Sequence, residues 1–139
     1  MKIFQLFLGF FVALYKLTNG KFGGHISGLD VLVLSTIGRK TGKQRERPVG
    51  YFEHDSAYVV IGSNGGADKD PAWFLNLRAN PKAHVLMGNR QLDVTATIVE
   101  PDLRNKLWAK LIEIAPAYKR YETSTQRTIP MAMLRPTAS

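Results

Sequence analysis

Short runs of apolar and β-branched residues, separated by glycines and small polar residues, recur along the chain and predict β-strands. The predicted strands are residues 30–35, 48–53, 57–62, 83–87, 91–99 and 129–134. In residues 91–99, every second residue from Leu92 to Ile98 is apolar, which is the pattern of a strand with one buried face. Gly88 and Asn89 predict a hairpin turn before it.

Two internal stretches carry helical signals. Residues 70–79 begin with Asp70, which can act as an N-cap, and Pro71, which fits the first helical position. Residues 101–115 repeat leucine at helical spacing and stop before a proline. The chain order is therefore helix, three strands, helix, hairpin, helix and strand. It predicts a mainly β fold with peripheral helices (α+β), in which about six antiparallel strands form a small barrel.

Residues 1–17 are the most apolar stretch and are predicted as an N-terminal helix, followed by a flexible turn at residues 19–24. Residues 18–139 are expected to form one domain. The apolar run between Lys2 and Lys16 is shorter than the roughly 20 residues that span a bilayer, and residues 17–20 after it would make a poor signal-peptide cleavage site. Two interpretations stay open: a helix that caps the core, or a helix that lies in a membrane interface.

The net charge of the chain limits the classes of partner that are expected. The 139 residues carry a formal net charge of +8, which favours an anionic partner such as a nucleic acid, an acidic membrane face, or a phosphorylated or polycarboxylate ligand. Aromatic residues do not alternate with basic ones along a stripe, so nucleic acid is not expected. The chain has no cysteine, which excludes disulfides and thiolate catalysis, and its three histidines are scattered, so no metal site is expected.

The stretch from Gly38 to Pro48 is the strongest candidate for an anion-binding site. It holds five cationic residues, Arg39, Lys40, Lys43, Arg45 and Arg47, against one acid, Glu46. Its two glycines allow a tight turn that can direct several N–H groups at one anion. Neither a Walker A loop nor a dinucleotide-binding GxGxxG motif is present. The alternative is a solvated hairpin loop that binds nothing.

Other candidate residues surround this loop. Residues 63–66 end a strand with small residues, which lets backbone approach a ligand closely. Trp73 and Asn76 share a helix face, where Asn76 needs a hydrogen-bond partner from the protein or from a ligand. No nucleophile motif or paired carboxylates are present, so an enzyme of this sequence is expected to use a cofactor for its chemistry.

Several short motifs in a fixed order resemble one known family. The shared pieces are LSTIGRKTG at residues 34–42, Arg45 with Pro48, Val49 and Tyr51, GSNGG at 62–66, PAWFLNLRANP at 71–81, Tyr118, Tyr121 and RTIP at 127–130. Together they resemble the deazaflavin-dependent nitroreductases, relatives of the FMN-binding split β-barrels. The match covers nearly the whole chain, from about residue 20 to residue 136.

This resemblance implies a split β-barrel that binds reduced coenzyme F-420, an 8-hydroxy-5-deazaflavin with a phosphate and a polyglutamate tail. FMN is the less favoured cofactor. The residues that the resemblance assigns to the cofactor are Arg39, Lys40, Thr41, Gly42 and Arg45 for the phosphate and tail, Pro48, Val49, Gly62, Ser63, Asn64, Gly65 and Gly66 for the ring, and Trp73 and Asn76 beside the tail. Some members have a lysine where Asn64 stands, so one charge is absent here.

The implied reaction is hydride transfer to a quinone, enone or nitroaromatic acceptor. The residues implied to face the acceptor are Tyr51, Ser63, Tyr118 and Tyr121. The expected partners are a small-molecule acceptor and, in the interface interpretation of residues 1–17, a membrane surface; no obligate protein partner is implied. The expected location is the cytoplasm or the inner face of the cell membrane. The alternative function is a non-catalytic binder of a fatty acid, a flavin or a tetrapyrrole on the same barrel.

Overall fold

Antiparallel pairing along most of the chain builds a seven-stranded sheet that closes on itself. The computed structural model describes residues 2–18, 25–26 and 28–137. Its elements are α1 (Lys2–Leu17), β1 (His25–Ile26), β2 (Leu29–Ile37), β3 (Gln44–His54), β4 (Ala57–Ile61), a 3₁₀ turn (Asn64–Gly66), α2 (Ala72–Ala79), β5 (Lys82–Met87), β6 (Arg90–Ile98), α3 (Pro101–Ile114), α4 (Tyr118–Thr123) and β7 (Met131–Pro136). The turn predicted at residues 19–24 lies outside the described residues.

Six of the strands form a closed barrel in the order β2-β3-β4-β7-β6-β5. The barrel closes where β5 pairs with β2, with Leu34 opposite Val85. The short β1 extends the sheet beyond β2. The predicted split β-barrel with peripheral helices is therefore confirmed. β7, the last strand of the sequence, lies between β4 and β6 and pairs with both.

Two local predictions were wrong. β3 begins at Gln44 rather than at residue 48, because β2 continues to pair with it as far as Ile37 opposite Gln44. Arg45 and Arg47 therefore belong to a strand and not to the loop. Asp70 does not cap α2: the N-cap is Pro71, and no side chain provides a capping hydrogen bond there.

The core is divided between the two faces of the barrel wall. The buried interior residues are Leu32, Leu34, Val49, Tyr58, Val60, Phe74, Leu77, Val85, Met87, Val94, Ala132 and Leu134, so α2 contributes to the interior through Phe74 and Leu77. On the outer face, α3 and α4 pack against β4 and β7 through a second buried cluster that includes Leu107, Trp108, Leu111, Ala115 and Tyr118. The barrel wall is thus covered on the side where the tyrosines of α4 lie.

α1 docks on the outer face of β2 through its second half. Val12 and Tyr15 are buried against Val31 and Val33. The Tyr15 hydroxyl donates to the Val31 carbonyl at 2.8 Å, and it accepts a hydrogen bond from the Gly88 N–H at 2.8 Å. Among the helices of the described residues, none combines the length and hydropathy that a bilayer-spanning segment needs. Through Val12 and Tyr15, the second half of α1 packs on the barrel wall, and both interpretations of residues 1–17 stay predictions.

We predict that Tyr15→Phe destabilises the fold. The substitution keeps the packing but leaves the Val31 carbonyl and the Gly88 N–H without this partner, at a cost of about 1–3 kcal/mol. Urea unfolding followed by circular dichroism measures the change. Tyr58→Phe is the matched control, because Tyr58 is also buried and its hydroxyl makes no hydrogen bond within the described residues. Equal stabilities of the two variants would contradict the assignment.

Candidate functional site

The loop between β2 and β3 is a tight turn built on two glycines. The Gly38 N–H donates to the Lys43 carbonyl at 2.7 Å, and the Gly42 N–H donates to the Gly38 carbonyl at 2.8 Å. Gly42 has a φ of 71°, in the left-handed region that favours glycine. A Cβ on Gly38 would lie 2.8 Å from the Thr41 hydroxyl oxygen. The glycines therefore permit the turn that exposes the cations between them.

Asn76 of α2 fixes this loop against the barrel. Its Oδ1 accepts hydrogen bonds from the Arg39 backbone N–H at 3.1 Å and from the Arg39 guanidinium at 3.2 Å. Its Nδ2 donates to the Thr36 hydroxyl at 3.2 Å. The sequence left open whether Asn76 binds protein or ligand. In the structure the Asn76 side chain is buried and binds the protein itself. It therefore holds Arg39, the first of the loop's cations, in place.

A shallow depression of about 170 Å³ lies at this junction. Its lining residues are Gly38, Arg39, Lys40, Thr41, Arg45 and Asn76. All of them except Gly38 are residues that the sequence assigns to a cofactor, so the structure brings this part of the predicted site together. Trp73 is not among the lining residues. It lies half-buried, edge-on to Phe74, with ring centroids 5.5 Å apart.

The positive charge of this depression is unopposed. Glu46, the acid of the predicted basic stretch, forms an ion pair with Lys16 of α1 at 2.8 Å. Within the described ranges, no carboxylate forms an ion pair with Arg39, Lys40 or Arg45. Exposed cations without acidic partners favour an anionic ligand, and the guanidinium of an arginine suits a phosphate or a carboxylate.

The regular pairing of β3 places four residues of contrasting chemistry on one face. The register with β2 is unbroken, so Arg45, Arg47, Val49 and Tyr51 point to the same side. The row runs from two cations through an aliphatic residue to an aromatic ring over about 20 Å. This order matches a ligand that has an anionic end and a flat apolar end.

One edge of β3 is left open beside this row. β3 pairs with β2 as far as Gln44, but it pairs with β4 only between Tyr51 and His54. The segment of β3 before Tyr51 therefore has no strand beside it on the β4 side. Backbone N–H and C=O groups along such an edge need partners, and they can hydrogen-bond the edge of a planar ring.

The chain that leaves β4 borders the same opening. Continuing the register of β3 and β4 would set Gly62 opposite Val49 and Ser63 opposite Pro48. The chain turns away instead, and Pro48 has no N–H to donate to a ladder. The residues that the sequence assigns to a ring, Pro48, Val49 and those from Gly62, thus lie where the ladder ends.

The turn at residues 64–66 has an unusual backbone. Asn64, Gly65 and Gly66 have φ values of 50°, 63° and 83°. Asparagine tolerates this left-handed conformation better than most residues, and its Nδ2 donates to the Lys69 carbonyl at 3.0 Å. Gly66 is required for another reason: a Cβ there would overlap the Ser124 hydroxyl oxygen. The turn is thus packed directly against the end of α4.

The three tyrosines predicted to face the acceptor, Tyr51, Tyr118 and Tyr121, do not form one group. Tyr51 lies edge-on to Tyr58, with ring centroids 5.8 Å apart, against the interior cluster. Tyr118 lies edge-on to Tyr121 at 5.1 Å and belongs to the outer cluster. Gly50 of β3 separates the pairs, and a Cβ on Gly50 would lie 3.1 Å from the Tyr118 hydroxyl oxygen.

Burial raises the pKa of two of these phenols. Desolvation raises the pKa of Tyr118 from 10.0 to about 12, with a smaller contribution from Tyr121. Desolvation, followed by the charge of Asp30, raises the pKa of Tyr51 to about 12. Both hydroxyls therefore remain hydrogen-bond donors across the physiological pH range.

Sequence reasoning gave no site role to Arg127, although RTIP was one of the shared motifs. Its guanidinium donates to carbonyls of the turn after β4 and to Asp70. Only the structure shows this contact, because the residues joined are about sixty positions apart in sequence.

Larger concavities lie elsewhere but lack the same chemistry. One of about 470 Å³ lies beside α1 and includes Lys16, Glu46 and His84. Another of about 630 Å³ follows α4 and includes Asp68 and Arg127. In both concavities the lining includes an acid beside the cation, so the positive charge is partly neutralised. Within the described residues, no group of histidine and acidic side chains could hold a metal ion.

Comparisons with known proteins identify the family. Residues 8–136 match the family described as F420H(2)-dependent quinone reductase. An F420H(2)-dependent quinone reductase of Mycobacterium tuberculosis is 36% identical over 126 residues, which are 88% of this chain and 85% of that protein. A solved F420-H2-dependent reductase is 35% identical, covers 76% of this chain and 93% of its own, and has a TM-score of 0.68. A solved domain-swapped dimer is 33% identical, covers 89% and 91%, and has a TM-score of 0.70.

We predict that the two buried phenols make the fold lose stability in alkali. Their pKa values are higher in the folded protein than in the unfolded chain, so their contribution is complete below pH 10 and is lost as the pH rises towards 12. The free energy of unfolding, measured between pH 8 and pH 11.5, should fall less steeply in Tyr118→Phe than in the wild type. Parallel profiles would contradict the burial argument.

Proposed function

Because the chain belongs to the F420H(2)-dependent quinone reductase family, we propose that it is an oxidoreductase that uses reduced coenzyme F-420 to reduce a quinone, enone or nitroaromatic acceptor. One observation carries the proposal: the open edge of β3, the segment before Tyr51, begins beside the loop that carries the unopposed cations and contains Arg45. A cofactor with a polyanionic tail and a flat ring suits this segment, with the tail at the cations and the ring towards Tyr51.

The cationic loop is the proposed site of the phosphate and the tail. Arg39, Lys40 and Arg45 line the depression with Thr41, and Asn76 holds Arg39 in place. Gly42 gives the loop the turn that brings these groups together. Guanidinium groups bind phosphate and carboxylate oxygens bidentately, while lysine contributes a mobile point charge. Trp73 is proposed to border this part of the cofactor from α2.

The open edge of β3 and the turn after β4 are the proposed site of the deazaflavin ring. Pro48 and Val49 on one side, and residues 62–66 on the other, can present backbone to both faces of the opening. Small residues in the turn allow that close approach. Val49 is buried, so the ring would meet an apolar surface that excludes water.

When bound, the reduced cofactor supplies a hydride, and the protein has to orient the acceptor and provide a proton. Tyr51, Ser63, Tyr118 and Tyr121 are the proposed acceptor-facing residues. The phenols of Tyr51 and Tyr118 are protonated at neutral pH, as an ordinary tyrosine is, and desolvation raises the pKa of each further, to about 12. Each can donate a hydrogen bond to an acceptor oxygen as negative charge develops there, and a proton delivered by the phenol or by water completes the reduction.

We predict that the purified protein binds coenzyme F-420 more tightly than FMN in fluorescence titrations. Lys40→Ala and Arg45→Ala should each weaken F-420 binding about tenfold or more, because each removes a charge-assisted contact to the tail. Lys106→Ala removes the same charge from the exposed face of α3 and is the matched control.

Unchanged affinity in both site variants would disprove the assigned tail site. Binding of FMN alone would keep the barrel and change the cofactor. Binding of neither, together with a co-purifying fatty acid or tetrapyrrole, would replace the reductase with a non-catalytic binder.

A second proposal concerns residues 1–17. We propose that they bind the cytoplasmic face of the membrane and that the protein acts there. The second half of α1 docks on β2 through Val12 and Tyr15, while the sequence of the first half is equally apolar. An apolar helix end beside a basic protein favours contact with an anionic bilayer surface.

We predict that vesicles containing anionic lipid bind the protein and that a double substitution, Phe4→Ser with Phe7→Ser, lowers this binding. Flotation in a density gradient measures it, and F-420 titration checks that the variant keeps its site. The double substitution removes no charge, so a loss of vesicle binding would come from the loss of apolar side chains. If the wild type does not float with the vesicles, the membrane proposal is wrong and α1 only packs against the barrel.

A further inference from the structure

The turn after β4 has a conformation that its own sequence permits. Its three consecutive residues with positive φ are Asn64, Gly65 and Gly66, and these residue types tolerate the left-handed region. Two hydrogen bonds within the turn, from Gly66 to the Ser63 carbonyl and from Ala67 to the Asn64 carbonyl, close it locally. They do not fix how the turn is placed relative to β3.

Arg127 supplies the contacts that do so. Its Nη2 donates to the Gly62 carbonyl at 3.1 Å and to the Ser63 carbonyl at 2.9 Å. Its Nε donates to the Ala67 carbonyl at 2.9 Å. The planar guanidinium of Arg127 therefore binds the chain on both sides of the turn at residues 64–66, at Gly62 and Ser63 before it and at Ala67 after it.

Asp70 orients this guanidinium from the other side. The Arg127 Nη1 lies 2.7 Å from Asp70 Oδ1, and Arg78 lies 3.5 Å from the second carboxylate oxygen. The Arg127 side chain is only 16% exposed and Asp70 is 20% exposed, so the pair is poorly screened by water. This explains why Asp70 is not the N-cap of α2: its carboxylate is used by Arg127.

A lysine could not replace this arginine. Three backbone carbonyls and a carboxylate surround different N–H groups of one rigid fork, whereas a lysine ammonium is a single point with three donors. Ser124, at the end of α4, adds a hydrogen bond to the Gly66 carbonyl at 3.2 Å. The turn is therefore held by the segment that directly follows Tyr118 and Tyr121.

We propose that Arg127 is a positioning residue that sets the affinity of the site for the ring part of the cofactor without touching the cofactor. The inference rests on the proposed function, in which the turn lines the ring. Its guanidinium holds the carbonyls of Gly62 and Ser63 away from the opening, and thereby fixes the backbone that faces Val49.

The test compares Arg127→Lys with Arg104→Lys. Arg104 is a matched control, because it is also half-buried and donates to a backbone carbonyl, that of Ile129, but it lies over Trp108 on α3. Two ligands are titrated: intact coenzyme F-420, and the deazaflavin riboside that lacks phosphate and tail. Arg127→Lys should weaken both about tenfold. Arg104→Lys should leave both within about twofold while also lowering thermal stability.

Lys40→Ala separates the two parts of the site, since it should weaken the intact cofactor and leave the riboside unchanged. Folded Arg127→Lys with unchanged riboside affinity would overturn the proposal, and so would an equal loss in Arg104→Lys. If Arg127→Lys does not fold, Asp70→Asn loosens the same guanidinium and should weaken the riboside about threefold; an unchanged riboside affinity in that variant would overturn the proposal.

Failure of the wild type to bind either ligand would refute the proposed function rather than the role of Arg127. Hydrogen exchange then decides the remaining claim. The amides of residues 64–67 should exchange faster in Arg127→Lys than in the wild type and Arg104→Lys. Equal exchange in the three proteins would refute the positioning role on its own.

Discussion

The site of this molecule depends on the backbone N–H and C=O groups of one strand, β3, which the sheet leaves partly unpaired. β3 is long enough to pair with β2 beyond the end of β4, so the barrel closes while one stretch of its backbone stays open. Pro48 interrupts the donors of that stretch, and the chain leaving β4 turns away beside it. Everything assigned to the ring of the cofactor follows from this mismatch in strand length, because a fully paired barrel of this size is filled by its own side chains.

The charge of the site depends on the same strand. Since β3 is regular from Gln44, its cations are projected at fixed intervals, and the loop before it adds Arg39, Lys40 and Lys43. Asn76 attaches this loop to α2, whose apolar side fills the barrel interior. Glu46, the acid of this stretch, forms its ion pair with Lys16 of α1 instead. Core packing and ligand electrostatics are therefore produced by the same elements and cannot be altered independently.

Much of the fold was predictable because its signals are local. Alternating apolar residues in β6 and the glycines around Arg39 specify strands and turns over a few positions. The resemblance to a family supplied the predicted cofactor residues, several of which the structure gathers at one depression. The start of β3 was misplaced because cross-strand pairing, and not local composition, decides it. The role of Asp70 was missed because its partner, Arg127, comes from a distant part of the chain.

The position of β7 has a consequence for how the protein is made. The last strand in sequence lies between β4 and β6, and each of these pairs with it. During synthesis the hairpins β2–β3 and β5–β6 can form early, since their strands are neighbours in sequence. Two bare strand edges then remain until residues 131–136 have been synthesised and have left the ribosome. A chain stalled before Met131 would expose both edges to other nascent chains, so the barrel cannot close before β7 is available.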